Sequence, residues 1–370
     1  MSIVARVFRR AGASQAPALG SQTTGDSALA ASVRAMWPGA QGCRGLSVVV
    51  IETGVTRYAG LGAASGDGEP VLPGTPFEIG SVTKALTGML LADMAADGTV
   101  RVDEPLRALL PDVEFTDPGV ADNTLAELAS HRSGLPRLRF TGLRQAFGMS
   151  LRSWRGEDPY AGQDTAWLLS TVGTATGSRK RAVAYSNYGM SVLGHALASR
   201  AGVPYPDLIQ RRILDPLGMT DTGFRLDGAA PPPGAARGST AGGRNATPWT
   251  ASGYAPAGCG AWSTAADLAK LVSAMLAGTA PGADAATPRF DENASRRVGY
   301  GWFTDHGSGR EITWHNGGTG GFRSIVCLEL AAQRGAVVLS NTDRVVDELG
   351  LRLLGPAPGR DDEPGPGPAT

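Results

Sequence analysis

The sequence is poor in several residue types, and each shortage excludes a class of protein. Lysine occurs only at positions 84, 180 and 270, so arginine supplies the rest of the 34 basic residues. The cysteines Cys43, Cys259 and Cys327 lie far apart with no CxxC pair, so we expect buried thiols rather than disulfides or a zinc site. Acidic and basic residues number 34 each, and without a basic stripe we expect no nucleic-acid partner.

Long apolar runs are also missing. No segment approaches the roughly 18–20 residues of a membrane span, so we expect no membrane partner. Arg6, Arg9 and Arg10 lie near the N-terminus, but the apolar stretch of a signal peptide does not follow them. The sequence therefore predicts a cytoplasmic protein with a disordered arm over residues 1–25. Repeated Pro and Gly predict a disordered tail over residues 355–370.

Strand-like segments lie at both ends of the chain and helical patterns lie between them. Residues 46–60 contain a β-branched hairpin pattern, and four strand-like segments follow between Val298 and Ser340. This order predicts an α+β fold of the α/β sandwich type. One antiparallel sheet is built from both chain ends and flanked by helices, with a large helical insertion over about 85–290. Within the insertion, the Gly- and Pro-rich residues 228–258 predict a long surface loop.

Ser81 and Lys84 are the first residues that could carry chemistry. They are three positions apart at a predicted helix start, so they share a helix face and their side chains can touch. A neutral amine can take the serine proton and make the hydroxyl a nucleophile. The structural alternative is a capping serine followed by a solvated lysine.

Tyr185-Ser186-Asn187 forms the second group, just before another predicted helix. A tyrosine hydroxyl can relay a proton where nearby cations stabilise its phenolate, and Asn187 can hydrogen bond to an amide or ester. The alternative is a plain helix cap.

The third group is the run from Trp314 to Gly321, at the end of a predicted strand. Four of the five residues from 317 to 321 are glycine. Glycines let a substrate approach the backbone closely and leave N–H groups able to donate. A flexible hairpin turn is the alternative, but it accounts for only two of these glycines.

Taken in order, Ser81-Val-Thr-Lys84, Tyr185-Ser-Asn187 and His315-Asn-Gly317 resemble the serine β-lactamase and penicillin-binding-protein family. Within it they are most similar to the branch of class C β-lactamases, D-alanyl-D-alanine carboxypeptidases and esterases. Segments 130–136, 215–219 and 260–268 resemble scaffold signatures of the same family. The resemblance covers about residues 30–354, and it implies a single β-lactamase-like catalytic domain over 26–354.

The resemblance also implies roles. Ser81 would be the acylated nucleophile, with Lys84 and Tyr185 sharing the proton transfers, and Asn187 would orient the acyl-side amide. The oxyanion hole would use the backbone N–H groups of Ser81 and Gly318. The remaining substrate-binding residues would be those of the third motif: His315, Asn316 and Gly317.

His315 departs from the lysine that begins this motif in many β-lactamases. A histidine is largely neutral at neutral pH, so the expectation shifts away from antibiotics that carry a carboxylate. Arg323 is either a replacement for the missing charge or a surface residue.

The predicted function is a serine hydrolase that forms an acyl-enzyme with a small ester or amide donor, as a carboxylesterase or a D-amino-acid peptidase or amidase does. We expect no cofactor and no metal. An acyltransferase using the same acyl-serine, a true β-lactamase and a non-catalytic penicillin-binding sensor are the alternatives. An α/β-hydrolase is disfavoured because the sequence has no Gly-x-Ser-x-Gly elbow.

Overall fold

The computed structural model describes residues 17–37, 42–178, 181–307 and 309–355. The predicted tail therefore lies outside the described residues except for Gly355, and so does most of the predicted arm. The arm prediction is wrong at its end, because Thr23–Gly25 is a strand paired with residues 59–61. Thr24 also donates a hydrogen bond to the Val71 carbonyl at 2.5 Å. A three-residue polar edge strand gives no periodic apolar signal, so the sequence pattern could not reveal it.

The strands of the described chain form one large and one small sheet. They are β1 Thr23–Gly25, β2 Gly45–Glu52, β3 Val55–Gly62, β4 Phe77–Glu78, β5 Gly223–Phe224, β6 Ala261–Ser263, β7 Phe290–Asn293, β8 Arg296–Val298, β9 Phe303–Gly307, β10 Arg310–Gly318, β11 Arg323–Glu329 and β12 Arg334–Ser340. The large sheet has nine strands in the order β1-β3-β2-β12-β11-β10-β9-β8-β7, and the small sheet has the order β4-β6-β5.

The two chain ends meet at the centre of the large sheet. Strand β2 pairs with β12 in antiparallel register, with Val48 opposite Val338. The neighbouring pairs are antiparallel as well. The prediction of an antiparallel sheet built from both ends is confirmed.

Helices cover both faces of this sheet. The α-helices described are α1 Ser27–Met36, α2 Thr83–Ala96, α3 Leu106–Leu109, α4 Pro118–Ala121, α5 Leu125–Ala129, α6 Leu143–Arg155, α7 Thr165–Val172, α8 Asn187–Ala201, α9 Tyr205–Ile209, α10 Ala265–Leu276 and α11 Asp347–Leu353. Because side chains alternate along a strand, Val49 and Val337 pack against the helical insertion while Val48 and Val338 pack against α1 and α11. None of the helices within the described ranges has the length and apolar character needed to cross a bilayer.

Part of the predicted surface loop is buried. Residues 252–257 form a 3-10 turn with little exposure. The carbonyl of Pro256 accepts a hydrogen bond from Thr87 at 2.8 Å, and that of Gly253 lies 3.1 Å from Nε2 of His195. The prediction of a surface loop is wrong for this segment, because its carbonyl groups accept hydrogen bonds from buried side chains. A composition of small residues and Pro gives no sign of such burial.

Candidate active site

Ser81 lies on a 3-10 turn, Gly80–Val82, that leads directly into α2. Lys84 follows one turn later, and its Nζ lies 2.7 Å from Oγ of Ser81. The lysine side chain has 0% exposure. The alternative of a capping serine with a solvated lysine is therefore wrong, since the amine is buried against the hydroxyl.

Burial decides the protonation state of Lys84. Desolvation lowers its pKa well below the ordinary lysine value, and the charge of Arg137 adds to that effect. The same Nζ lies 2.6 Å from the carbonyl oxygen of Ala257. A neutral amine can donate an N–H to this carbonyl and keep its lone pair for the Ser81 proton.

Tyr185 is the second side chain that forms a hydrogen bond with the Ser81 hydroxyl. Burial raises the pKa of Tyr185 to about 12, although its hydrogen bond to Ser81 and the charge of Arg137 oppose this rise. Nζ of Lys84 lies 5.1 Å from the centre of the tyrosine ring. The opposite directions of the two pKa shifts favour a neutral amine as proton acceptor and a neutral phenol as proton donor beside the same hydroxyl.

The cap alternative for the second motif holds for only one of its residues. Ser186 is the N-cap of α8, and its Oγ accepts a hydrogen bond from the N–H of Gly189 at 2.8 Å. Asn187 instead lines the pocket, with Nδ2 donating to the Tyr160 hydroxyl at 3.3 Å. Its Oδ1 is buried and has no hydrogen-bond partner among the described residues, so the acceptor side of this amide is unsatisfied.

Glycines let three backbone segments converge on Ser81. A Cβ on Gly80 would lie 2.8 Å from the nitrogen of Gly318, and one on Gly317 would overlap the Ile79 carbonyl. A Cβ on Gly258 would overlap the Gly80 carbonyl. The backbone of Gly318 thus lies against the nucleophile turn, as an oxyanion hole shared by these two segments requires.

The third motif divides between the two faces of β10. Asn316 lines the pocket, with its Nδ2 donating to Asp347 at 2.6 Å. His315 points the other way and has 0% exposure, with its ring centre 6.3 Å from that of Tyr185. Burial lowers the pKa of His315 to about 3, although its hydrogen bond with the Asn316 carbonyl opposes this shift. His315 therefore lies behind the catalytic pair as a neutral ring, because strand alternation turns it away from the pocket.

His131 is a neighbour of this group that sequence reasoning treated only as part of a scaffold turn. Its buried ring lies 4.7 Å from that of Tyr185, and Nδ1 accepts a hydrogen bond from the N–H of Ser186 at 3.3 Å. The residue has a φ of 58°, a conformation that is uncommon outside glycine. His131 thus fixes the backbone between Tyr185 and Asn187. No sequence signal indicated it, since left-handed backbone at a histidine cannot be read from the chain.

Glu78 is a second residue that the sequence did not single out. This buried carboxyl accepts hydrogen bonds from the Trp249 N–H at 2.8 Å and from the Thr319 hydroxyl at 2.7 Å. Burial raises its pKa to about 8 against the effect of these two bonds. Glu78 therefore connects the strand before Ser81 to the turn after Gly318 and to a pocket wall.

The pocket beside Ser81 has a volume of about 450 Å³ and contains three arginines. Arg296 pairs with Asp305 and Glu292, while Arg323 pairs with Asp343 at 2.6 Å. Arg137 is exposed beside the Tyr185 ring, 5.3 Å from its centre, and it forms no salt bridge with any described residue.

Arg323 is the residue that the sequence offered as either a replacement charge or a surface residue. Arg323 is already neutralised by an acid, so the unneutralised positive charge of the pocket is that of Arg137.

In the part of the chain that the structure describes, no group of three His, Cys, Asp or Glu side chains could hold a metal ion. The three cysteines are free and buried, as predicted.

The geometry agrees with a comparison of the chain with known families. The sequence model of the Beta-lactamase family matches residues 21–354. The chain belongs to the Beta-lactamase family. The crystal structure of a class C beta lactamase from Rhodobacter sphaeroides shares its fold, with a TM-score of 0.70 at 22% identity over 86% of this chain and 95% of the other.

Two relatives of this Beta-lactamase family member show the spread of described activities. The D-alanyl-D-alanine-carboxypeptidase/endopeptidase AmpH of Escherichia coli K12 is 29% identical over 64% of this chain. The unguisins hydrolase ungD' of Aspergillus campestris is 28% identical over 84% of this chain. The matches span only 58% of AmpH and 60% of ungD'.

Proposed function

We propose that this chain is a serine hydrolase that acts on small esters or amides through an acyl-enzyme at Ser81. The observation that carries the proposal is the 2.7 Å contact between Oγ of Ser81 and the fully buried amine of Lys84. A buried, neutral amine beside a hydroxyl is an activated nucleophile pair. The names of the two relatives, a carboxypeptidase/endopeptidase and a hydrolase, support hydrolysis, and the first supports an amide donor.

Acylation follows from the opposite pKa shifts of the two flanking groups. Oγ of Ser81 attacks the donor carbonyl, and its proton passes to Nζ of Lys84. The carbonyl oxygen becomes an oxyanion held by the N–H groups of Ser81 and Gly318, each worth about 10²–10³ in rate. The bond to the leaving group then breaks. Tyr185, whose pKa is raised to about 12, donates the proton that the leaving alkoxide or amine needs.

Deacylation uses water in place of serine and reverses the two proton transfers. Water attacks the acyl carbonyl and gives one proton to the Tyr185 phenolate left by acylation, and the Ser81 oxygen leaves and takes back the proton held by Lys84. The reprotonated Tyr185 and neutral Lys84 are restored, so no cofactor is consumed. An acyltransferase would differ only in admitting an amine or alcohol at this point.

The experiment is intact-mass detection of an adduct after incubation with a fluorophosphonate, a fluorescent penicillin, p-nitrophenyl acetate and a chromogenic cephalosporin. We expect labelling of the wild type, loss in Ser81→Ala, and faster ester than cephalosporin turnover. Ser170→Ala is the matched control, because Ser170 is an exposed helical serine outside the pocket. Absence of an adduct with every donor would overturn the proposal, and faster cephalosporin turnover would indicate a true β-lactamase.

The base assignment has its own test. Lys84→Arg keeps a long basic side chain but stays protonated, so it cannot accept the Ser81 proton and acylation should fall by at least about 10². A labelled but non-turning-over protein would indicate the penicillin sensor. Adding a primary amine to the ester reaction separates the remaining alternative, since an acyltransferase would form the amide in preference to the free acid.

A further inference from the structure

The segment after the His131 turn has an unusual charge. Residues 132–156 contain six arginines and neither Asp nor Glu, although the whole chain has equal numbers of acids and bases. The helix α6 lies within this segment, and three of the arginines belong to it: Arg144, Arg152 and Arg155. None of these three forms a salt bridge with a described residue. A local positive surface therefore exists on a protein with no net charge.

The apolar side chains of α6 face away from the protein. Leu143 is 90% exposed, Phe147 72% and Trp154 61%, and Met149 is the one buried residue of the helix. At about 100° per residue, the three exposed side chains fall within about 40° of one another around the helix axis. Surface helices normally turn such a stripe toward the core. Here the stripe, which is interrupted by Ser150, faces outward.

Two arginines of α6 lie along one edge of this stripe. On the same helical projection Arg144 and Arg155 lie about 80–100° from its centre, on one side. Arg244 lies next to Trp154, with its guanidinium 5.6 Å from the ring centre and its NH2 donating to the Trp154 carbonyl at 2.7 Å. A helix with Leu, Phe and Trp on one face and arginines along one edge of that face has the composition of an interfacial helix.

The stripe adjoins the Ser81 pocket. An apolar groove beneath α6 is lined by Phe140, Met149 and Trp154 and continues to Tyr160 and Trp249, two residues that also line the pocket. A surface bound to α6 would thus lie at the mouth of that pocket.

We propose that α6 docks on an anionic lipid surface, with its apolar stripe inserted at the level of the headgroups and its arginines contacting lipid phosphates. The charge argues for lipid. Arg144 and Arg155 border the apolar stripe, Arg244 lies beside Trp154, and residues 132–156 contain no acid. The prediction of no membrane partner was based on the lack of an apolar run long enough to span a bilayer. Docking of a helix on the surface of a bilayer requires no such run. The proposal does not depend on the activity at Ser81.

The test is co-sedimentation of the full chain with phosphatidylcholine vesicles, with and without phosphatidylglycerol. We expect binding only to the anionic vesicles, and weaker binding as salt is raised. Phe147→Ser with Trp154→Ser should weaken binding at least about tenfold. Arg144→Gln with Arg155→Gln should weaken it about 25-fold, since one arginine near an anionic surface contributes about fivefold.

Matched controls make the outcome decisive. Val55 and Val345 are 62% and 59% exposed on other surfaces, so Val55→Ser with Val345→Ser should bind like the wild type. All substituted positions are exposed, and unchanged circular dichroism and p-nitrophenyl acetate turnover will verify folding. Equal binding to both vesicle types, or full binding by the α6 variants, would overturn the proposal. So would self-association that depends on Phe147 and Trp154 without vesicle binding, because a second copy would then be the occupant.

Discussion

Glu78 should make the stability of this protein fall as pH rises, and Glu78→Gln should remove that dependence. The carboxyl is buried between the Trp249 N–H and the Thr319 hydroxyl, and its pKa rises from 4.5 to about 8 in the fold. Between these values the folded state holds a proton that the unfolded state has lost. The free energy of unfolding therefore decreases with pH in this interval and is constant above it.

The size of the effect follows from the two pKa values. Each pH unit in which only the folded state is protonated costs about 1.4 kcal/mol, so the whole interval from 4.5 to about 8 costs about 5 kcal/mol. Between pH 5 and pH 9 the expected loss is about 4 kcal/mol. Glutamine keeps both contacts, because its amide oxygen can accept from Trp249 and its NH2 can donate to Thr319.

The assay is urea denaturation of wild type and variant across this pH range, comparing midpoints and slopes. The two proteins should be similar near pH 5, and Glu78→Gln should be more stable by about 4 kcal/mol near pH 9. Glu69→Gln, at an exposed glutamate, is the control and should follow the wild type. Parallel curves for wild type and Glu78→Gln at all pH values would refute the reasoning, because the carboxyl would then be ionised in the fold.

Three further substitutions test the pocket. Tyr185→Phe removes the proposed donor to the leaving group, so acylation measured by mass spectrometry should slow by at least about 10², and an unchanged rate would exclude that role. Arg137→Gln should raise KM about tenfold for donors with a carboxylate and leave p-nitrophenyl acetate unaffected, so an equal change for both donors would contradict charge recognition. His315→Lys should slow ester acylation without any gain in cephalosporin turnover, since it buries a second amine beside Lys84; a cephalosporin preference would show that position 315 contacts substrate.

The sequence was sufficient for the fold and for the three motifs because each has a local pattern. Alternating β-branched residues predicted the strands at both ends, and the Ser81–Lys84 spacing predicted a side-chain contact that the structure shows at 2.7 Å. One boundary differs from the prediction. The first of the four strand-like segments, which begins at Val298, is not one strand, because residues 299–302 form the turn between β8 and β9.

The groups that surround the motifs could not be predicted because burial and backbone conformation are products of distant segments. The Ala257 carbonyl that receives Lys84 comes from a stretch with loop composition, 173 positions away. Glu78 looks like an ordinary strand acid until Trp249 and Thr319 enclose it. The position of the His131 ring depends on a left-handed backbone conformation at this residue, which forms only in the folded turn. Such residues need the tertiary structure, since nothing in their own neighbourhood in sequence distinguishes them.

The cation that could recognise an acidic group on the donor is a different residue from the ones the sequence suggested. The sequence suggested that histidine replaces a lysine facing the substrate, with Arg323 as either a substitute cation or a surface residue. In the fold His315 is buried, its pKa is lowered to about 3, and Arg323 is paired with Asp343. Arg137 is the pocket arginine without a salt bridge among the described residues, and it lies beside Tyr185, with its carbonyl accepting a hydrogen bond from the N–H of Asn187 at 3.1 Å. The family resemblance implies that Asn187 orients the acyl-side amide, so we expect the acyl portion of the donor, rather than the leaving group, to carry any acidic group that Arg137 recognises.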